Sequence, residues 1–178
     1  MRIATAERRV PPEPGLYAIY GSRAVWSELG LGRQRDGRPL YLGKAEESLV
    51  DRDVRQHFAD GETGRSTLRR SLAALLRRRL KLEAIPRNPA RPADFDRFGL
   101  SAAGDARLTA WMSASLWIAV WVAPPGCRLR PLEDHLRVSW LPPLNLDNGS
   151  AWQELVRAER ASMAAQASRW TAPPQRSA

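Results

Sequence analysis

Cysteine, histidine and lysine are scarce in this 178-residue chain, and each scarcity closes off a class of protein. The single Cys127 allows no intramolecular disulfide and no cysteine-cluster zinc or iron–sulfur site, and with only His57 and His135 a nitrogen-rich metal site is disfavoured. One thiol points to a reducing compartment. No apolar run approaches the ~18 residues of a membrane span. The opening MRIATAERRVPPEPG is charged and proline-rich where a signal peptide would be apolar. These features together read as a soluble cytoplasmic protein. Lysine occurs only at Lys44 and Lys81, so nearly all of the 28 basic residues are arginine, whose planar fork grips phosphate oxygens two at a time.

What is present suits one compact domain: 43% of residues are hydrophobic and 26% charged. The formal charge of +9 suggests a polyanion partner, nucleic acid first. A genome-wide preference for arginine over lysine would account for the residue type but not for the surplus of positive charge.

Gly15 to Tyr20 alternates as a half-buried strand does, and Pro39 to Gly43 reads as a second one. Between them, Ser22 to Arg38 is a long connection with one helical turn near Trp26 to Leu29. A helix is expected from Ser48 to Phe58. A second, from Ser66 or Thr67 to Leu80, has leucines at three- and four-residue steps and arginines over the rest of its surface. IPRNPARPADFDRFG is a proline-rich excursion. A helix at 105–115, a strand at 116–122, a helix at 131–140 stopped by Pro142–Pro143, and an alanine-rich helix at 151–170 complete an α+β pattern. Trp111, Trp117 and Trp121 are expected to pack in the core rather than stack on bases, and His135 to be structural. The division expected is a leader at 1–14, a domain at 15–149 with a loop insertion at 22–38, a C-terminal helix at 150–170 and a flexible tail at 171–178.

Two strands thus pair a tyrosine with a glycine, Gly15-Leu16-Tyr17 and Tyr41-Leu42-Gly43, ahead of a helix with Arg52 and His57 and, later, Glu133 and Asn145, twelve positions apart. Each part alone has an ordinary explanation in packing or solvation. Their order resembles the GIY-YIG nuclease family, in its restriction-endonuclease-like branch, through GLY, YLG, the helix in YLGKAEESLVDRDVRQHF and PLEDHLRVSWLPPLNL. The resemblance implies a small, mainly antiparallel three-stranded sheet flanked by helices. It also implies a metal-dependent endonuclease acting on DNA, with RNA left open.

The roles that follow from the resemblance are Tyr17 as general base, Tyr41 on the phosphate or water, Arg52 clamping the scissile phosphate and Glu133 holding Mg²⁺ or Mn²⁺. Asn145 would orient the site. A phenol of ordinary pKa near 10 needs nearby cations to act as a base at neutral pH. Lys44, Arg52 and His57 are the candidates, and His57 could also relay the proton. Arg52 stands five positions before His57, which turns a regular helix by about 140° and separates the two side chains; Arg55 is the reserve clamp. Arg65, Arg69 and Arg70, near a glycine-flanked helix start, are expected to meet flanking phosphates. The competing reading is a catalytically inactive nucleic-acid-binding module on the same fold. Oligomeric state stays open.

Overall fold

The computed structural model describes residues 1–33, 37–50, 57–88, 91, 95–146 and 151–171, and of Glu7 only the backbone. The expected helix at 48–58 therefore lies largely outside the described residues, and so do Arg52 and Arg55.

The central element is β1 (Gly15–Gly21), flanked in antiparallel pairing by β2 (Tyr41–Ala45) and β5 (Leu116–Val122). The three-stranded antiparallel sheet is the one the resemblance implies, within the α+β layout read from the pattern. Register places Tyr17 opposite Gly43 on one side and Val120 on the other, with Ile19 opposite Tyr41. Side chains alternate along a strand, so Tyr17, Ile19, Tyr41 and Gly43 share one face and Leu16, Ala18, Leu42 and Lys44 share the other. Gly15 has a steric reason to be glycine: a Cβ there would stand 2.1 Å from the backbone oxygen of Trp121.

Helices cover both faces. Those in the long connections are α1 (Arg23–Glu28), capped by Ser22, and α2 (Thr67–Leu76), capped by Ser66 and preceded by a 3₁₀ turn at Thr63–Arg65. The helix ends at Leu76, short of the Leu80 that the leucine pattern suggests, and the chain continues through turns. Leu82 N–H donates to Arg77 O at 2.9 Å and Lys81 N–H to Arg78 O at 3.4 Å, around Lys81 in the left-handed region at φ 49°. Arg107 takes two of the freed carbonyls, Leu80 O and Lys81 O, at 2.8 Å each. The proline-rich excursion holds a small antiparallel pair, β3 (Ala84–Ile85) and β4 (Gly99–Leu100). Ser101 caps α3 (Ala102–Ser115), which runs straight into β5.

Over the face bearing Leu16, Ala18, Tyr20 and Leu42 lies α4 (Leu129–Trp140), with Leu132, Leu136 and Trp140 across a cleft of about 290 Å³. It ends with Leu141 left-handed at φ 47°, ahead of the two prolines. The last helix, α5 (Gln153–Ser168), packs along α2 and buries Val156, Met163 and Ala167. The chain before β1 also joins the core: a 3₁₀ helix at Ile3–Arg8 sets Ile3 and Ala6 against α3 and β5. Among the described residues no helix is long and apolar enough to cross a membrane. Trp121, expected in the core, is 43% exposed, because its position on β5 alternates onto the face that α4 only partly covers.

Candidate active site

The register of β1 and β2 sets Tyr17 and Tyr41 side by side, and His57 packs against both. The Tyr17 and Tyr41 ring centroids are 6.2 Å apart, and the His57 ring lies 5.6 Å from Tyr17 and 6.0 Å, edge-on, from Tyr41. Gly43 makes the space: a Cβ there would fall 2.4 Å from both Cζ and Oη of Tyr17. The glycine of the second motif is thus the seat of the tyrosine of the first.

Tyr17 Oη is 2.6 Å from His57 Nε2, and His57 Nδ1 is 2.7 Å from Ser66 Oγ. Ser66 Oγ also accepts the Arg69 N–H at 3.1 Å as the N-cap of α2. A hydroxyl can serve both bonds, so Tyr17, His57 and Ser66 form a continuous buried chain of exchangeable protons. Both histidine nitrogens are thereby occupied, and the ring is fixed in place.

Arg69 is not at the surface. It is 0% exposed, and its guanidinium donates to Thr63 Oγ1 at 3.1 Å, to the His57 carbonyl at 3.1 Å, and to Thr109 Oγ1 and Asp105 Oδ2 at 2.9 Å each. Asp105 further accepts from Gly61 N–H and the Thr63 hydroxyl. The expected contact of Arg69 with phosphate is corrected by this burial: its charge is spent inside the fold on Asp105, where it holds the backbone of His57. Arg70 is buried as well, giving Nη1–H to Gly64 O at 2.7 Å, while Arg65 is exposed. Arg70 and Arg160 both lie within electrostatic reach of the Tyr41 phenol.

Asn145 acts on backbone. Its Oδ1 accepts Leu42 N–H at 2.9 Å and its Nδ2–H donates to Leu42 O at 2.8 Å, so one side chain stands in for a neighbouring strand along β2. It positions the Tyr41–Gly43 segment rather than facing the tyrosines.

Glu133 reaches β2 from α4. The residue is 9% exposed, and burial pushes its carboxyl above the usual carboxylate range, against the pull of Arg137 and Lys44. Lys44 is itself paired with Glu46. Among the described residues no group of three His, Cys, Asp or Glu side chains could hold a metal ion. A cation here would have one protein carboxylate and complete its shell with water and substrate oxygens, the manner in which Mg²⁺ is commonly held. The lone, poorly solvated carboxylate fits that use. His135 is exposed on α4, and Cys127 is a free thiol.

The sequence did not single out Ser66 or Asp105 as parts of the site. Ser66 was visible only as a helix cap. Asp105 carries no local signal of its bond to a residue 36 positions away.

A three-stranded antiparallel sheet that carries a tyrosine on each of two adjacent strands, joined through a histidine, defines a small α+β domain of nuclease type. Residues 30–162 match the GIY-YIG catalytic domain, and the chain belongs to the GIY-YIG nuclease family. The matched span holds Tyr41, His57, Glu133 and Asn145; Tyr17 lies ahead of it and enters through its pairing with Gly43 and its bond to His57. No curated protein and no solved structure matches the chain.

Proposed function

We propose that the protein is a divalent-metal-dependent endonuclease that hydrolyses phosphodiester bonds in DNA. One observation carries this reading: the 2.6 Å contact of Tyr17 Oη with His57 Nε2, at the point where the two motif strands meet. With Nδ1–H directed at Ser66, Nε2 is left as an acceptor for the Tyr17 proton, and Tyr17 can then take a proton from the attacking water. Tyr41 orients the phosphate or water through its hydroxyl. Arg52, with Arg55 as reserve, places a guanidinium on the scissile phosphate. Glu133 holds Mg²⁺ or Mn²⁺, which when bound would neutralise charge on the transferring phosphate and on the leaving alkoxide. Gly43 under Tyr17 and Lys44, whose charge acts on Glu133, are successive residues of β2 that face opposite sides of the sheet. The single cysteine suits a reducing, cytoplasmic setting.

Nicking of supercoiled plasmid with Mg²⁺ tests the reading. Wild type should nick, Tyr17→Phe should lose roughly 10²- to 10⁴-fold in rate, the usual contribution of a general acid–base group, and Glu133→Ala should lose its response to Mg²⁺ and its activity with it. Equal activity in all three proteins would place the chemistry elsewhere. The 1% exposure of Tyr17 favours a second reading, a module that binds nucleic acid without cutting it. Binding without cleavage under any divalent ion would establish that alternative.

A further inference from the structure

The 3₁₀ turn Thr63–Arg65 and the β3–β4 pair enclose an open cleft of about 690 Å³, lined by Arg65, Arg87, Asn88 and Arg91 together with Gly61, Gly64 and Gly99. Gly64 is the hub of a wider arginine cluster. Its carbonyl accepts from Arg70 Nη1 at 2.7 Å, and a Cβ on it would stand 2.8 Å from Arg87 Cγ and 3.4 Å from Arg97 O. Arg160, from α5, bears on the same guanidinium of Arg70.

Among the described residues most of these charges have no acidic partner. The acidic lining residue, Glu62, is 3.6 Å from Arg65. Among the described residues no carboxylate pairs with Arg70, Arg87, Arg91, Arg97 or Arg160. Arg70 is 7% exposed and its Nε–H has no partner. Burial, followed by Arg160, Arg97 and Arg87, lowers its pKa to about 10, so it remains charged at neutral pH under the repulsion of its neighbours. A concave surface that gathers like charges at a cost to the folded state is complementary to a polyanion. The exposed Arg87, Arg91 and Arg97 come from the excursion between β3 and β4, and the buried Arg70 and half-buried Arg160 lie within electrostatic reach of Tyr41. That spread exceeds what one phosphate can engage.

We propose that this cleft binds the sugar–phosphate backbone of the nucleic-acid strand flanking the reacting bond, with Arg87, Arg91 and Arg97 on successive phosphates and Arg70 and Arg160 at the end beside Tyr41. The link to cleavage rests on the endonuclease reading; the binding does not.

Fluorescence anisotropy of a labelled DNA duplex across a salt series separates the two. The full chain carrying Glu133→Ala serves as the parent, so that binding is read without cutting. Arg87→Gln with Arg97→Gln, both exposed changes, should weaken binding and flatten the slope of log Kd against log salt by about two. Arg8→Gln, on the N-terminal 3₁₀ helix, should not reproduce that loss. A slope unchanged in the double variant, or a parent that does not bind DNA, overturns the cleft, whatever the wild type does to plasmid. If inorganic phosphate binding is lost in the double variant while the DNA slope stays the same, the cleft is a small-anion site and the proposal falls. A flattened slope in a protein that never cuts leaves the cleft standing and removes the endonuclease reading.

Discussion

Tyr17 occupies the volume that any side chain at residue 43 would need. Its ring is 1% exposed and cannot retreat from a Cβ 2.4 Å from its hydroxyl-bearing end. Gly43→Ala should cost about 1–3 kcal/mol by overpacking. By moving the hydroxyl off His57 it should also lower cleavage roughly a hundredfold. Urea unfolding and nicking rates measure the two effects, and an alanine variant at full activity would show that residue 43 does not set the hydroxyl's place. Glu133 makes a different prediction. Its carboxyl is raised in the folded protein by burial, so between the unfolded value of 4.5 and the folded one the native state binds more protons than the unfolded chain. Stability then falls as pH rises through that window. Without divalent cation, Glu133→Gln should melt higher than wild type at neutral pH, with the gap closing below the unfolded value, and added Mg²⁺ should raise the wild-type melting temperature alone. Equal melting at both pH values, or an equal response to Mg²⁺, would count against a charge held there for a cation. Tyr17, Tyr41 and His57 are legible in the sequence because the motif order names them, whereas Ser66 is not: as a helix cap it already has a complete local explanation.

Helix α2 shows how far periodicity reaches and where it stops. The leucine steps correctly mark a helix whose apolar side is buried, but the regular helix stops at Leu76 and the chain reaches Lys81 through turns. Arginine on the remaining surface reads as solvated or phosphate-bound, since arginine is seldom fully buried without a partner. The partner exists, but on α3: Asp105, held by Arg69 at 2.9 Å, ties α2, α3 and the His57 carbonyl into one unit. No local pattern announces a contact of that sequence separation. Arg69→Ala would leave Asp105 buried without its cation and should cost about 3–5 kcal/mol, with loss of activity following from loss of structure. Chemical denaturation reads the cost, and a change under about 1 kcal/mol would show that Asp105 finds other support. The terminal elements make the same point. The segment before β1 and helix α5 read as a leader and an appended helix, yet both bury apolar side chains, Ile3 and Ala6 in one and Val156 and Met163 in the other. Their apolar residues are too widely spaced for the sequence to say what they pack on.

At the scale of the molecule, the charge of +9 includes arginines that hold the fold together, such as Arg69, and arginines gathered around Gly64, of which Arg70, Arg87 and Arg97 have no acidic partner among the described residues. Composition could suggest a polyanion but could not make that division, because it depends on which arginine meets a carboxylate after folding. On the endonuclease reading, the same accounting applies to the groups proposed to react. Each chain supplies one Tyr17–His57 pair and one Glu133, whereas the two strands of a duplex run antiparallel and present their phosphates in opposed orientations. One set of groups therefore meets one strand per encounter, and cutting both strands together requires a second copy related by a two-fold axis. For a chain acting singly, supercoiled plasmid should pass first to nicked circle, with linear DNA appearing later, and the nicking rate should rise in proportion to enzyme concentration. Gel time courses at several enzyme concentrations decide it. Linear product formed directly from supercoiled DNA, with a rate rising as the square of concentration, would show that two chains assemble on the duplex before either strand is cut.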